Sequence, residues 1–223
     1  MKTKLLSTIF FLCFVNFFSY SQTQLSACDT DYNGVENFDL IAVIPQLLNG
    51  QNPNDFDISF HVSVTNAEAN INAIPNPSNY VNSSNPQIIY VRLQNLSTND
   101  YNIIPLQLNV NPVPNIGTEV ASACDDNNDG IALFDLSQAV QIIYAANNAT
   151  PNTMSVTFYL TSSDLANQVN PLGYIFENTS PNQVIYVSIE NLITGCTWSG
   201  EFFLFVQDCS TSCETPNNLN AIN

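Results

Sequence analysis

Two periodicities alternate along the chain. Residues 57–64 carry apolar side chains at every second position, and residues 155–160 do so in part, which predicts strands with one buried face. Residues 87–93 and 183–189 are rich in Ile, Val and Tyr and predict further strands, followed by 103–110 and 201–206. Pro105 cannot donate to a ladder, so its strand is expected on an edge or at a bulge. Helical spacing is confined to short stretches. Ile41, Ile44, Leu47 and Leu48 share one face, with Gly50 placed to end the turn. Asp135 and Gln138 have capping-box spacing ahead of Val140 and Ile143, and Thr65 and Glu68 have it at 67–71.

These elements recur. Ala27-Cys28-Asp29 and Phe38-Asp39-Leu40 match Ala123-Cys124-Asp125 and Phe134-Asp135-Leu136 at an offset of 96. Ile89-Tyr90-Val91 and Asn95 match Ile185-Tyr186-Val187 and Asn191 at the same offset, and Ser59-Phe60 matches Thr157-Phe158 at 98. Short strands, Asn/Pro/Ser turns and duplication predict an all-β chain of two tandem immunoglobulin-like β-sandwich repeats with short helices. The repeats span 22–112 and 117–208, joined by a stiff Pro-rich hinge at 113–116 and followed by a tail at 209–223.

Residues 1–21 have the form of a secretory signal. Lys2 and Lys4 precede a largely apolar run from Leu5 to Phe18, and Ser19-Tyr20-Ser21 offers small residues before a cleavage point. Secretion changes the charge balance, because after residue 21 Arg92 is the only Lys or Arg against 19 acidic residues. Such a surface repels nucleic-acid backbones and lacks a basic patch for anionic lipid. No later segment is apolar enough to insert in a membrane, so a secreted or cell-surface location is expected.

The strongest chemical signal lies in two acidic loops. Asp29, Asp31 and Asn33 alternate before Gly34, and Asp125, Asn127 and Asp129 alternate before Gly130. Oxygen donors at alternate positions followed by Gly resemble the first half of a calcium loop, in which the carbonyl of Val35 or Ile131 would be the next ligand. The twelfth position is Leu40 or Leu136 rather than Glu. Asp39 and Asp135, one residue earlier, either substitute as ligands or cap the following helices. An Asx-rich turn without an ion is the competing reading. Five cysteines follow residue 21. A bridge from Cys124 to Cys196 within the second repeat is the first expectation, with Cys209–Cys213 as the remaining pair and Cys28 left over; other pairings stay open.

No phosphate loop, His-based metal motif or nucleophile elbow is present, so no enzyme is expected. The single histidine, His61, is expected at a surface or strand edge, and Trp198 in packing rather than on a sugar platform. The run from Cys124 through Gly130, then Phe134-Asp135-Leu136, Val156-Thr157-Phe158-Tyr159, Asn178-Thr179-Ser180 and Gly195-Cys196, resembles repeats of large secreted surface proteins of Bacteroidetes, especially flavobacteria. That resemblance covers about 25–208 and implies an adhesin-like, non-catalytic module, of a kind associated with type IX secretion and gliding motility. Its expected partner is a surface glycan or protein. Asp100 stands where the second repeat has Cys196, and the tail after Cys213 looks like the lead-in to a further domain. The alternative reading is a carbohydrate-binding accessory region of a larger secreted hydrolase.

Overall fold

This computed structural model describes residues 23–125 and 127–208. The expected signal at 1–21 and the pair Cys209–Cys213 lie outside the described residues.

The first unit contains β1 (Thr23–Asp29), β2 (Asn37–Phe38), β3 (Phe56–His61), β4 (Tyr80–Val81), β5 (Gln87–Asn95) and β6 (Tyr101–Pro112). The second repeats them as β7 (Val120–Asp125), β8 (Leu133–Asp135), β9 (Met154–Tyr159), β10 (Ile175–Glu177), β11 (Val184–Asn191) and β12 (Thr197–Asp208). Each unit has one four-stranded sheet, in the orders β1-β6-β5-β3 and β7-β12-β11-β9. Its first strand runs parallel to its last, and the other pairs are antiparallel. A two-stranded ribbon, β2-β4 or β8-β10, lies in the opposite layer. The chain is thus mostly β, in two tandem sandwiches of immunoglobulin-like kind.

Period-two alternation builds the cores. Along β12 Phe202 and Leu204 are buried while Phe203 and Phe205 face outward. Phe202 meets Phe158 of β9 edge to face, with centroids 5.2 Å apart. Phe134, Leu136, Val140 and Ile143 close that core from the ribbon side, the last two from α3 (Ser137–Ala146). In the first unit Leu40 and Val43, on a 3-10 turn before α1 (Ile44–Leu48), take the same role.

Three local expectations need correction. His61 ends β3, an edge strand as expected, but has no exposed surface. Its Nδ1 lies 3.0 Å from the Ile71 carbonyl oxygen and its Nε2 2.9 Å from the Ser59 hydroxyl, so both ring nitrogens have hydrogen-bond partners. The helix after it, α2 (Val64–Ala69), starts earlier than the Thr65–Glu68 spacing suggests, because Ser63 is extended and its Oγ accepts the Asn66 N–H. Pro105 sits in β6, an interior strand, yet β1 pairs with β6 only from Leu106 onward. Among the described residues Pro105 is therefore paired on one side only, opposite Tyr90 of β5.

Candidate functional site: the inter-domain bridge and the acidic loops

The hairpin joining β11 to β12 is shaped by Asn191. Its Oδ1 accepts the N–H groups of Ile193 and Thr194 at 3.0 and 3.1 Å, and its own N–H donates to the Cys196 carbonyl. Gly195 supplies the left-handed residue at φ +73°. The first unit repeats the arrangement with Asn95 and with Asn99 at φ +61°, but ends in Asp100. Cys196, fully buried at this tip, is bonded to Cys28 at the end of β1, with a Cα–Cα distance of 5.5 Å and 168 residues between them in sequence. Its Sγ lies 3.8 Å from the carbonyl oxygen of Asn111, the residue opposite Cys28 in β6.

The disulfide therefore links the two units, and the expected Cys124–Cys196 bridge within one repeat does not form. Cys124 stands opposite Gln207 in β12, whereas Cys196 precedes the first residue of that strand. About 11 residues of strand at roughly 3.3 Å each separate the two positions, far beyond the reach of a disulfide. Cys124 is itself disulfide-bonded. The hinge is also held noncovalently. The Asn147 side chain accepts the Asn115 N–H at 2.8 Å and donates to the carbonyls of Asn115 and Ile143, tying the connection to the last turn of α3.

Both acidic loops begin beside these cysteines. Asp29 Oδ1 accepts the Asn33 N–H at 3.1 Å and Oδ2 accepts the Gly34 N–H at 2.9 Å. Asp125 receives Asn127 and Gly130 in the same manner, at 3.1 and 2.7 Å. The Gly130 N–H is the chief reason the Asp125 carboxyl is held below the usual carboxylate range, against the opposing effect of burial. Asp31 and Asn33, like Asn127 and Asp129, are joined side chain to side chain. The Oδ1 atoms of Asn33 and Asp129 accept the N–H groups of Val35 and Ile131.

Not every candidate ligand converges. Leu40 and Leu136 are fully buried, so the twelfth position points into the core. Asp39 accepts the Ile41 N–H, and Asp135 accepts both the N–H and the hydroxyl of Ser137, so both cap helical turns. A carboxylate missed at the sequence level joins the first loop: an oxygen of Glu36 lies within 4.8 Å of oxygens of Asp29 and Asp31. The second loop has Ala132 at that position. Glu36 escaped notice because it falls on an even position, outside the alternating pattern.

Two buried asparagines, also missed, fasten these loops. Asn82 accepts the Glu36 N–H at 2.6 Å and donates to the carbonyls of Gly34 and Ser84. Asn178 repeats this with the Ala132 N–H and the carbonyls of Gly130 and Ser180. Their recurrence at the 96-residue offset was the signal that could have found them. Arg92 is committed within the first unit: its guanidinium donates to the Ala67 and Glu68 carbonyls at the end of α2 and lies 3.6 Å from the Tyr101 ring centroid. Trp198 packs against the second core and over Gly200, where an added Cβ would meet its ring at 2.7 Å.

No helix among the described residues is long and apolar enough to cross a membrane, and an inter-domain disulfide is chemistry of an oxidising compartment. A family model described as Flavobacterium inter-domain disulphide bond domain matches residues 24–114 and again 120–210. No curated protein matches the chain. Among solved structures it is similar to Sidekick-1 immunoglobulin domains 1-4, at 9% identity over 84% of this chain and 50% of that one, with a TM-score of 0.24. It is also similar to Drosophila N-cadherin EC1-3, at 11% identity over 69% and 56% of the two chains, with a TM-score of 0.22. The chain thus spans about half the length of these two structures.

Proposed function

The chain belongs to the Flavobacterium inter-domain disulphide bond domain family, and from that premise we propose that it is a non-catalytic, adhesin-like module of a secreted or cell-surface protein. The observation that carries this reading is the Cys28–Cys196 bridge. The Pro-rich hinge, tied to α3 by Asn147, joins the two sandwiches at one place, and a covalent link at a second place makes them a spacer of fixed geometry. Its role is to hold a binding surface, for a glycan or a protein, at a set distance from its anchor. Small-angle scattering of the mature chain before and after mild reduction tests this. The reading expects a single elongated form that loosens on reduction, and a profile unchanged by reduction would refute it.

Calcium belongs to the same reading. Three carboxylates, from Asp29, Asp31 and Glu36, next to the bridge form an all-oxygen donor set, and each carboxylate keeps lone pairs beyond those its N–H partners use. The second loop, with Ala132 in place of Glu36, is the weaker candidate. Thermal melting in EDTA and in millimolar calcium should show a rise in Tm that Glu36→Gln abolishes; no rise removes calcium from the reading. Carbohydrate binding is favoured by one feature, the outward Phe203 and Phe205 on β12, which are 43% and 48% exposed. Adsorption to insoluble polysaccharide, displaced by soluble glycan and lost in a Phe203→Ala, Phe205→Ala variant, would establish it.

A further inference from the structure

Three peptide bonds of the chain join an Asn or Asp to glycine: Asn33-Gly34, Asn49-Gly50 and Asp129-Gly130. At such a bond the glycine nitrogen can attack the carbonyl carbon of the preceding side chain, because no Cβ on the glycine hinders the approach. Asn33, Asn49 and Asp129 are all exposed to solvent, so exposure does not separate them. Their hydrogen bonds do.

In the acidic loops both reacting groups are held. The Gly34 N–H donates to Asp29 Oδ2 at 2.9 Å. The Asn33 side chain donates to Asp31 at 2.7 Å and accepts the Val35 N–H at 2.6 Å. In the second loop the Gly130 N–H donates to Asp125 at 2.7 Å, and Asp129 accepts from the Asn127 side chain and the Ile131 N–H at 2.9 and 2.8 Å. Ring closure in either loop must break these bonds and remove a proton from an amide that is donating to a carboxylate.

Asn49-Gly50 differs. The pair ends α1, with both residues left-handed at φ +46° and +85°. The turn is closed by the Gln51 N–H, which donates to the Leu48 carbonyl at 3.0 Å and bypasses both residues. Among the described residues neither the Asn49 side chain nor the Gly50 N–H has a hydrogen-bond partner. Nothing lies within 4 Å of the place a Gly50 Cβ would take, so the approach is open.

We propose that Asn49 is a site of self-modification, at which the chain deamidates while the first acidic loop protects Asn33. The Gly50 N–H gives its proton to hydroxide, the nitrogen bonds to Asn49 Cγ, and the Cγ–Nδ2 bond breaks to release ammonia, which takes a proton from water. Water then opens the succinimide at either carbonyl and leaves Asp or isoaspartate. The new negative charge falls beside the last carbonyls of α1, and isoaspartate adds a methylene to the backbone of the turn that follows the buried Leu48.

The test incubates the full mature chain in mildly alkaline buffer and follows each Asx-Gly peptide by mass spectrometry and isoaspartyl methylation. Asn49 should convert at least about tenfold faster than Asn33, and isoaspartate at residue 129 should stay as low as at residue 33. Unfolding the same chain in guanidinium should bring Asn33 and Asn49 to similar rates, since each is then followed only by an unhindered glycine. Asp29→Ala, which removes the acceptor of the Gly34 N–H, should speed conversion at Asn33 alone; where that variant folds poorly, the guanidinium comparison carries the test by itself. Equal rates at Asn33 and Asn49 in the folded chain would overturn the proposal. So would an Asn49 that converts in guanidinium but not in the folded chain.

Discussion

Replacing both Cys28 and Cys196 by alanine removes the inter-domain bridge without leaving either of its own two thiols unpaired. In the chain-entropy description, cross-linking across 168 residues removes about 5 kcal/mol of unfolded-state freedom. The bridge acts on each unit separately too. When the first unit alone unfolds, its chain is still tied at the hinge and, through Cys196, to a folded neighbour, which closes a loop of about 85 residues and contributes about 4.5 kcal/mol. The same holds for the second unit, so the bridge couples two domains that share little else. Urea denaturation under non-reducing conditions, followed by far-UV circular dichroism and by the fluorescence of Trp198 in the second unit, reads the effect. The double variant should lose several kcal/mol, its Tm should fall by on the order of 20 °C, and the two probes should separate as the units unfold independently. A loss below about 1 kcal/mol with coincident probes would show that the bridge neither constrains the unfolded chain nor couples the units.

Three further predictions concern the loops. Gly34 and Gly130 both have positive φ, but an added Cβ meets nothing at Gly34 and lies 2.5 Å from the Pro181 ring at Gly130; Gly34→Ala should cost about 1 kcal/mol and Gly130→Ala at least about 1 kcal/mol more in urea titrations, and equal losses would refute the steric argument. Asn178→Ala strands the Ala132 N–H and the Gly130 carbonyl and should destabilise the second unit by roughly 2–3 kcal/mol, with Asn178→Asp, which keeps the acceptor, intermediate. Asp125, Asp135 and Asp164 are all held below the usual carboxylate range, by Gly130, Ser137 and Thr161 respectively. Below about pH 4 the unfolded chain binds more protons, so their contribution is complete above that pH and is lost as pH falls through the lower folded values; Asp125→Asn should flatten the acid limb of stability against pH.

The repeat, the strand pattern and the acidic loops were legible in the sequence because each is local or recurs at a fixed offset. Alternation along residues 183–189 names a strand wherever it is placed, and a duplicated Asp-x-Asx-x-Asx-Gly turn is built by hydrogen bonds spanning two to five residues. What no local pattern carries is which distant surfaces meet. Cys196 matched Cys124 by membership of one repeat, but the parallel register of β7 on β12 sets those residues at opposite ends of a sheet, and the hinge brings Cys28 of the other unit within reach instead. His61 sits on an edge strand, yet α2 and the segment through Ile71 fold back over it, so a residue that reads as exposed is buried and satisfied. Glu36 joins Asp29 and Asp31 only through the curl of the first loop that Asn82 holds from 46 residues away. Short-range backbone preferences are written in the residue order itself, whereas covalent and electrostatic partners across 46 or 168 residues depend on how finished sheets and loops pack, and that was decided by the tertiary structure alone.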